Sequence, residues 1–104
     1  MSYSSSADIA NFLLKARNDH VQWNVGSTPP LENLDDVYAV QDLITSKLGA
    51  DIRAWKTSPL DDGSAFAGPI YATDIFESGA RIPASKFHVI GIEGEIAFRI
   101  NCDL

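Results

Sequence analysis

Residues 88–100 carry the pattern that most restricts what this chain can fold into. Ile90, Ile92, Ile96, Phe98 and Ile100 alternate there with Val89, Gly91, Glu93, Glu95, Ala97 and Arg99. Successive side chains of an extended strand point to opposite faces, so a period of two predicts a strand with one apolar and one polar face. Burying a large apolar side chain stabilises a fold by about 1.5–3 kcal/mol. Five of them on one face therefore call for a sheet around this strand and a layer over it.

Upstream, the periodicity changes to that of helices. Ile9, Phe12, Leu13 and Ala16 fall on one face, which predicts a helix over about 6–18, capped by Ser5 or Ser6, with Asp8 favouring its dipole. Asn24, Gly26, Ser27 and Pro29-Pro30 mark a loop over 18–30. A second helix is expected over about 34–48. Asn33 is a good cap, Asp35 and Asp36 fill the first turn, and Val37, Val40, Ile44 and Leu48 form the stripe before Gly49. Ile52-Arg53-Ala54-Trp55-Lys56 reads as a short strand. Residues 58–68 read as loop, because Pro59, Asp61, Asp62, Gly63 and Gly68 fall in them. Pro69-Ile70-Tyr71 is a short extended piece, 74–79 a turn or short helical segment, and Arg81-Ile82-Pro83 extended, since Pro83 disfavours helix for Ile82. The expected class is α/β in the broad sense, or α+β. Two helices precede strands over about 51–104 that begin a β core. At 104 residues this is one domain or the amino-terminal fragment of a longer protein.

Composition narrows the partners. A hydrophobic content of 45% is that of a globular chain rather than a disordered one. Eight Lys and Arg against 14 Asp and Glu leave a net charge of −6, with no basic cluster, which argues against a nucleic-acid backbone as partner. Cys102 is the single cysteine, so no intrachain disulfide forms and a reducing cytoplasm is the expected compartment. The start lacks a basic n-region, and Phe12-Leu13-Leu14 is too short for a signal peptide. No run approaches the roughly 20 apolar residues of a membrane span.

Glu93 and Glu95 are the sharpest chemical feature. On a strand they share a face, with α-carbons about 6.6–6.8 Å apart. Two carboxylates at that spacing can lean together on one hard cation, with waters and an oxygen-rich substrate completing its shell. A solvated strand face carries the same pair, so spacing alone does not assign a metal. Lys56 beside Trp55 has two readings as well, a site residue or a surface lysine with a snorkelling stem. His20 and His88 lack acidic or cysteine partners at metal spacing. Cys102 has no base nearby in sequence and reads as a small buried residue or bystander. The serines form no nucleophile elbow, and no glycine-rich phosphate loop is present.

Four stretches in order add a further signal. They are Gly68-Pro69-Ile70-Tyr71-Ala72-Thr73-Asp74, then Glu77-Ser78-Gly79-Ala80, then Ile82-Pro83-Ala84-Ser85-Lys86-Phe87, then Ile92-Glu93-Gly94-Glu95-Ile96-Ala97-Phe98 with Asp103-Leu104. Val37-Tyr38-Ala39-Val40-Gln41 and Trp55-Lys56 precede them. From about residue 33 onward this succession resembles the 2-keto-4-pentenoate hydratase family, within the fumarylacetoacetate hydrolase superfamily.

The resemblance implies a mixed β core of the fumarylacetoacetate hydrolase type, only begun in this chain. It implies a hydro-lyase of aromatic compound catabolism that adds water to a 2-hydroxy-2,4-dienoate to give a 4-hydroxy-2-oxo acid. It assigns Mg2+ or Mn2+ to Glu93 and Glu95, with a third carboxylate that has no counterpart up to Leu104, so that residues 1–104 alone would be inactive. Lys56 takes a catalytic place at the end of its strand, although relatives insert an apolar residue and a glycine before the Thr-Ser that here follows directly as Thr57-Ser58. Asp74 and Ser78 take substrate contacts, although turn capping explains them equally well. The family commonly forms homo-oligomers. A 2-oxo acid decarboxylase or a C–C hydrolase of the same superfamily would share the ion, and a non-catalytic assembly module would share the scaffold.

Overall fold

Helix α1 spans Ser6–Asp19 and helix α2 spans Leu34–Leu48 in the computed structural model, which describes residues 6–22, 31 and 33–103. The expected Ser5 cap and the loop residues 23–30 lie outside the described residues. The end of α1 is closed by His20 in the left-handed region, at φ 53°. The His20 N–H donates to the Arg17 carbonyl at 3.3 Å and the Val21 N–H to the Ala16 carbonyl at 3.0 Å, so two end carbonyls find donors.

The signals that delimit α2 act as read. The Asn33 side chain accepts from the Asp36 N–H at 2.9 Å, and Asp35 and Asp36 sit in the first turn. Gly49 adopts φ 60°, ψ 33°, with its N–H on the Ser46 carbonyl and the Ala50 N–H on the Thr45 carbonyl, both at 3.1 Å. That pair of bonds is a Schellman closure. The two helices pack on each other through Ile9, Ala10 and Val40, with Leu13, Leu31, Leu43 and Ile44 against them. The stripes are close to those expected, though Phe12 and Leu48 stay over 40% exposed and Ala10, outside the pattern, is fully buried.

The sheet differs from the sequence expectation. Strand β1 covers Ile52–Pro59 and β2 covers Ala65–Tyr71, paired antiparallel from Pro59↔Ala65 to Ile52↔Tyr71 with an irregularity at Arg53. Residues 58–68 are thus mostly hairpin rather than loop. The reversal lies in Leu60-Asp61-Asp62-Gly63-Ser64. The Gly63 N–H donates to the Leu60 carbonyl at 3.0 Å, and the Leu60 N–H to the Ser64 carbonyl at 2.8 Å. Gly63 takes φ 84°, as a three-residue hairpin loop requires of its last member. Asp62 Oδ1 accepts from both the N–H and the hydroxyl of Ser64, which pulls its carboxyl below the ordinary range. Downstream, short 3-10 turns at Ala72–Asp74 and Ala84–Lys86 flank the expected turn near Gly79 and the extended Arg81-Ile82-Pro83.

The larger correction concerns 88–100, hereafter the arm. No strand pairing forms there among the described residues, and the apolar face is not buried: Ile92 is 93% exposed, Ile96 and Phe98 88%. Among the described residues β1 and β2 pair only with each other, and the hairpin extends no ladder to the arm. Exposed area follows suit. The chain presents 8,824 Å² where a closed fold of its mass presents about 5,700 Å². Its radius of gyration is 15.7 Å against about 13 Å for a compact chain of this length. The described architecture is a small α+β one, two helices followed by an antiparallel hairpin. Neither described helix is long and apolar enough to cross a membrane.

A Cβ at Gly49 would meet nothing within 4 Å, so only its backbone angle resists a side chain. Gly49→Ala is expected to destabilise the helical part by about 1–2 kcal/mol, and Gly49→Asn by less, as read from urea denaturation.

Candidate functional site

Lys56 lies in β1 opposite Gly68, whose missing side chain leaves the lysine stem unobstructed by its cross-strand neighbour. Its ammonium reaches the arm. Nζ donates to Glu93 Oε2 at 3.0 Å and also to Glu95 Oε1, so one cation bridges two carboxylates that lie 37 and 39 positions away in sequence. The three residues singled out for catalysis and metal binding therefore converge on one point. All three are substantially exposed, at 48% for the Lys56 side chain, 72% for Glu93 and 53% for Glu95.

The charges act on one another as their spacing dictates. Hydrogen bonds to Glu95 first, and then to Glu93, hold the Lys56 ammonium above the ordinary lysine range. The same contact with Lys56 holds the Glu93 carboxyl below the ordinary carboxylate range. The trio keeps one uncompensated negative charge. Among the described residues no group of three or more His, Cys, Asp or Glu is placed to hold a metal.

Asp74 and Ser78 do not join the trio. The Asp74 carboxylate is engaged by Arg17 Nη2 at 3.4 Å and faces Lys86 Nζ at 3.9 Å, in a separate cluster against α1. Ser78 sits in the turn that the Ala80 N–H closes on the Glu77 carbonyl at 3.1 Å. Arg17 escaped the sequence reading because nothing local marks a partner 57 positions away. Cys102, expected to be buried or a bystander, is exposed. His20 and His88, with no ligand partners in sequence, both border the cavity beside Asp74.

Comparison of the chain with protein-family models, with curated proteins and with solved structures returns no match.

Among the described residues, the ion pairs from Lys56 tie the arm to the hairpin. Lys56→Met is expected to free the arm, lowering heteronuclear 15N–1H NOE values over 89–97 while α1 and α2 keep theirs. Molar NaCl should have the same effect on the unsubstituted protein, because exposed pairs are screened. Unchanged arm values under both treatments would show that other contacts hold it.

Proposed function

We propose that this chain contributes part of the active site of a divalent-metal-dependent hydratase acting on 2-hydroxy-2,4-dienoates. The observation that carries the reading is the meeting of Lys56, Glu93 and Glu95 around a single cation position. The donor set fits a hard cation. Carboxylate oxygens from Glu93 and Glu95 already close on one positive group, and magnesium or manganese takes such oxygens with water filling further positions. A further carboxylate would join them on the resemblance to 2-keto-4-pentenoate hydratases. The mixed β core of that superfamily and a cytoplasmic location belong to the same proposal.

When bound, the ion supplies Lewis-acid and template chemistry to the carboxylate and 2-oxygen of the dienoate. Glu93 and Glu95 would hold it from one face of the arm. Displaced from these carboxylates by the ion, Lys56 would present its ammonium as donor and counter-charge to a substrate carboxylate. Loss of the 2-hydroxyl proton with protonation at C5 would convert the dienoate to the conjugated 2-oxo-3-enoate, and addition of water, oxygen at C4 and a proton at C3, would give the 4-hydroxy-2-oxo acid. The ammonium occupies the place a divalent ion would take, so binding of the ion requires Lys56 to swing aside.

A second reading, an assembly module without catalysis, is favoured by the exposed apolar face of the arm. Both readings include homo-oligomers. The uncovered face and the unpaired backbone beside it are what a neighbouring copy can cover. Size-exclusion chromatography with light scattering is expected to show self-association. A sharp monomer peak with cooperative unfolding would count against it.

The metal separates the two readings. Mn2+ titration followed by electron paramagnetic resonance is expected to show one bound ion per chain. The double variant Glu93→Gln/Glu95→Gln should lose it with its circular dichroism unchanged, and Lys56→Met should bind it more tightly. Binding undiminished in the double variant would remove the hydratase reading and leave the module.

A further inference from the structure

A cavity of about 590 Å³ opens between the end of α1, the end of α2 and residues 86–88. That volume is in the range of small-molecule sites. Its charge runs against that of the chain. With the histidines neutral, its lining holds the cations Arg17 and Lys86 and the single acid Asp74, a net of one positive charge in a chain of −6. Neither Lys56, Glu93 nor Glu95 lines it.

Both cations are placed by aromatic faces. The Arg17 guanidinium carbon lies 5.7 Å from the centre of the Tyr71 ring, and Lys86 Nζ lies 5.1 Å from that of Phe76. Tyr71 is itself buried and fixed by a 2.9 Å hydrogen bond between its hydroxyl and that of Thr45, so Arg17 rests on a rigid platform. Neither cation is fully used by Asp74. The Arg17 contact, at 3.4 Å, is longer than the roughly 2.7–2.9 Å of a close charge-assisted bond, and Lys86 stands 3.9 Å off. A guanidinium has five N–H donors arranged to take a carboxylate with two parallel bonds. Leu14 and Phe87 supply apolar wall, and His20, held in a left-handed conformation that favours glycine, brings an imidazole to the same cavity.

We propose that this cavity binds a small monocarboxylate with an apolar body. The carboxylate takes the free donors of Arg17 and the charge of Lys86, and the body lies against Leu14 and Phe87. One net positive charge matches a monoanion, and the apolar walls suit an organic acid better than inorganic phosphate. The site is independent of the metal reading.

Sodium benzoate is the probe, followed by 1H–15N correlation spectra of residues 1–104, with benzyl alcohol as its uncharged counterpart. Benzoate is expected to produce saturable shifts at Arg17, Phe87 and His88, and benzyl alcohol none. Arg17→Gln/Lys86→Gln should weaken benzoate binding at least tenfold. Asp74→Asn removes the competing acid and should tighten it, which tests the same cluster should the double variant fail to fold. Glu93→Gln/Glu95→Gln should bind benzoate as the unsubstituted chain does, whether or not Mn2+ binds elsewhere. The proposal is overturned by absence of saturable shifts, by equal binding of benzyl alcohol, by unchanged affinity in a folded Arg17/Lys86 variant, by unchanged or weaker affinity in Asp74→Asn, or by loss of binding in the Glu93/Glu95 variant.

Discussion

The placement of Tyr71 is the constraint on which the rest of the arrangement depends. It ends β2 and is buried at 8% exposure, with its hydroxyl on Thr45 of α2 and its ring under Arg17 of α1. One side chain thus ties the hairpin to both helices. A second tie lies further along the hairpin, where the Tyr38 ring stacks on Phe66 at 5.6 Å and its hydroxyl accepts the Ala67 N–H at 3.2 Å. The core of Ile9, Ala10 and Val40 is too small to orient a hairpin by apolar contact alone, so these two tyrosines set where β1 lies and therefore where the Lys56 ammonium emerges.

Legibility in the sequence followed the range of each signal. The ends of α2 were readable because Asn33 and Gly49 act on backbone groups within four residues of themselves. Of the second strand, only its end, Pro69-Ile70-Tyr71, is legible as extended. Ala65-Phe66-Ala67-Gly68-Pro69 has no β-branched residue and contains both residues that strands avoid, and it pairs because the Asp62-Gly63 turn brings it back along β1. That turn is visible in the sequence as loop chemistry, and three residues ending on Gly63 are a hairpin signal. The period of two in the arm describes which residues would share a face of a strand, and in the structure residues 88–100 form no strand and are all exposed. The periodicity carries no information on what either face meets.

Glu93 and Glu95 turn toward the hairpin because a lysine waits there, while Ile92, Ile96 and Phe98 turn outward. The core of Ile9, Ala10 and Val40 is already covered by Leu13, Leu31, Leu43 and Ile44, and none of the arm's residues packs against it. Exposed ion pairs are weak contacts, so the orientation holds by the absence of a better competitor more than by their strength.

The two polar clusters are complementary in sign. One gathers two carboxylates around one ammonium and keeps a negative charge; the other gathers two cations around one carboxylate and keeps a positive one. In each, the minority charge occupies the place that a ligand of its own sign would take, Lys56 for a cation and Asp74 for an anion. Such an internal stand-in lowers the cost of holding like charges together in the empty site, and it sets the threshold that a ligand must exceed to displace it. On the proposed metal reading, a divalent ion would bring twice the charge of the ammonium to the carboxylate pair. A monocarboxylate has no such advantage over Asp74. It must use donors that Asp74 leaves free and add apolar contact, which is why the cavity walls matter to the second cluster and not to the first.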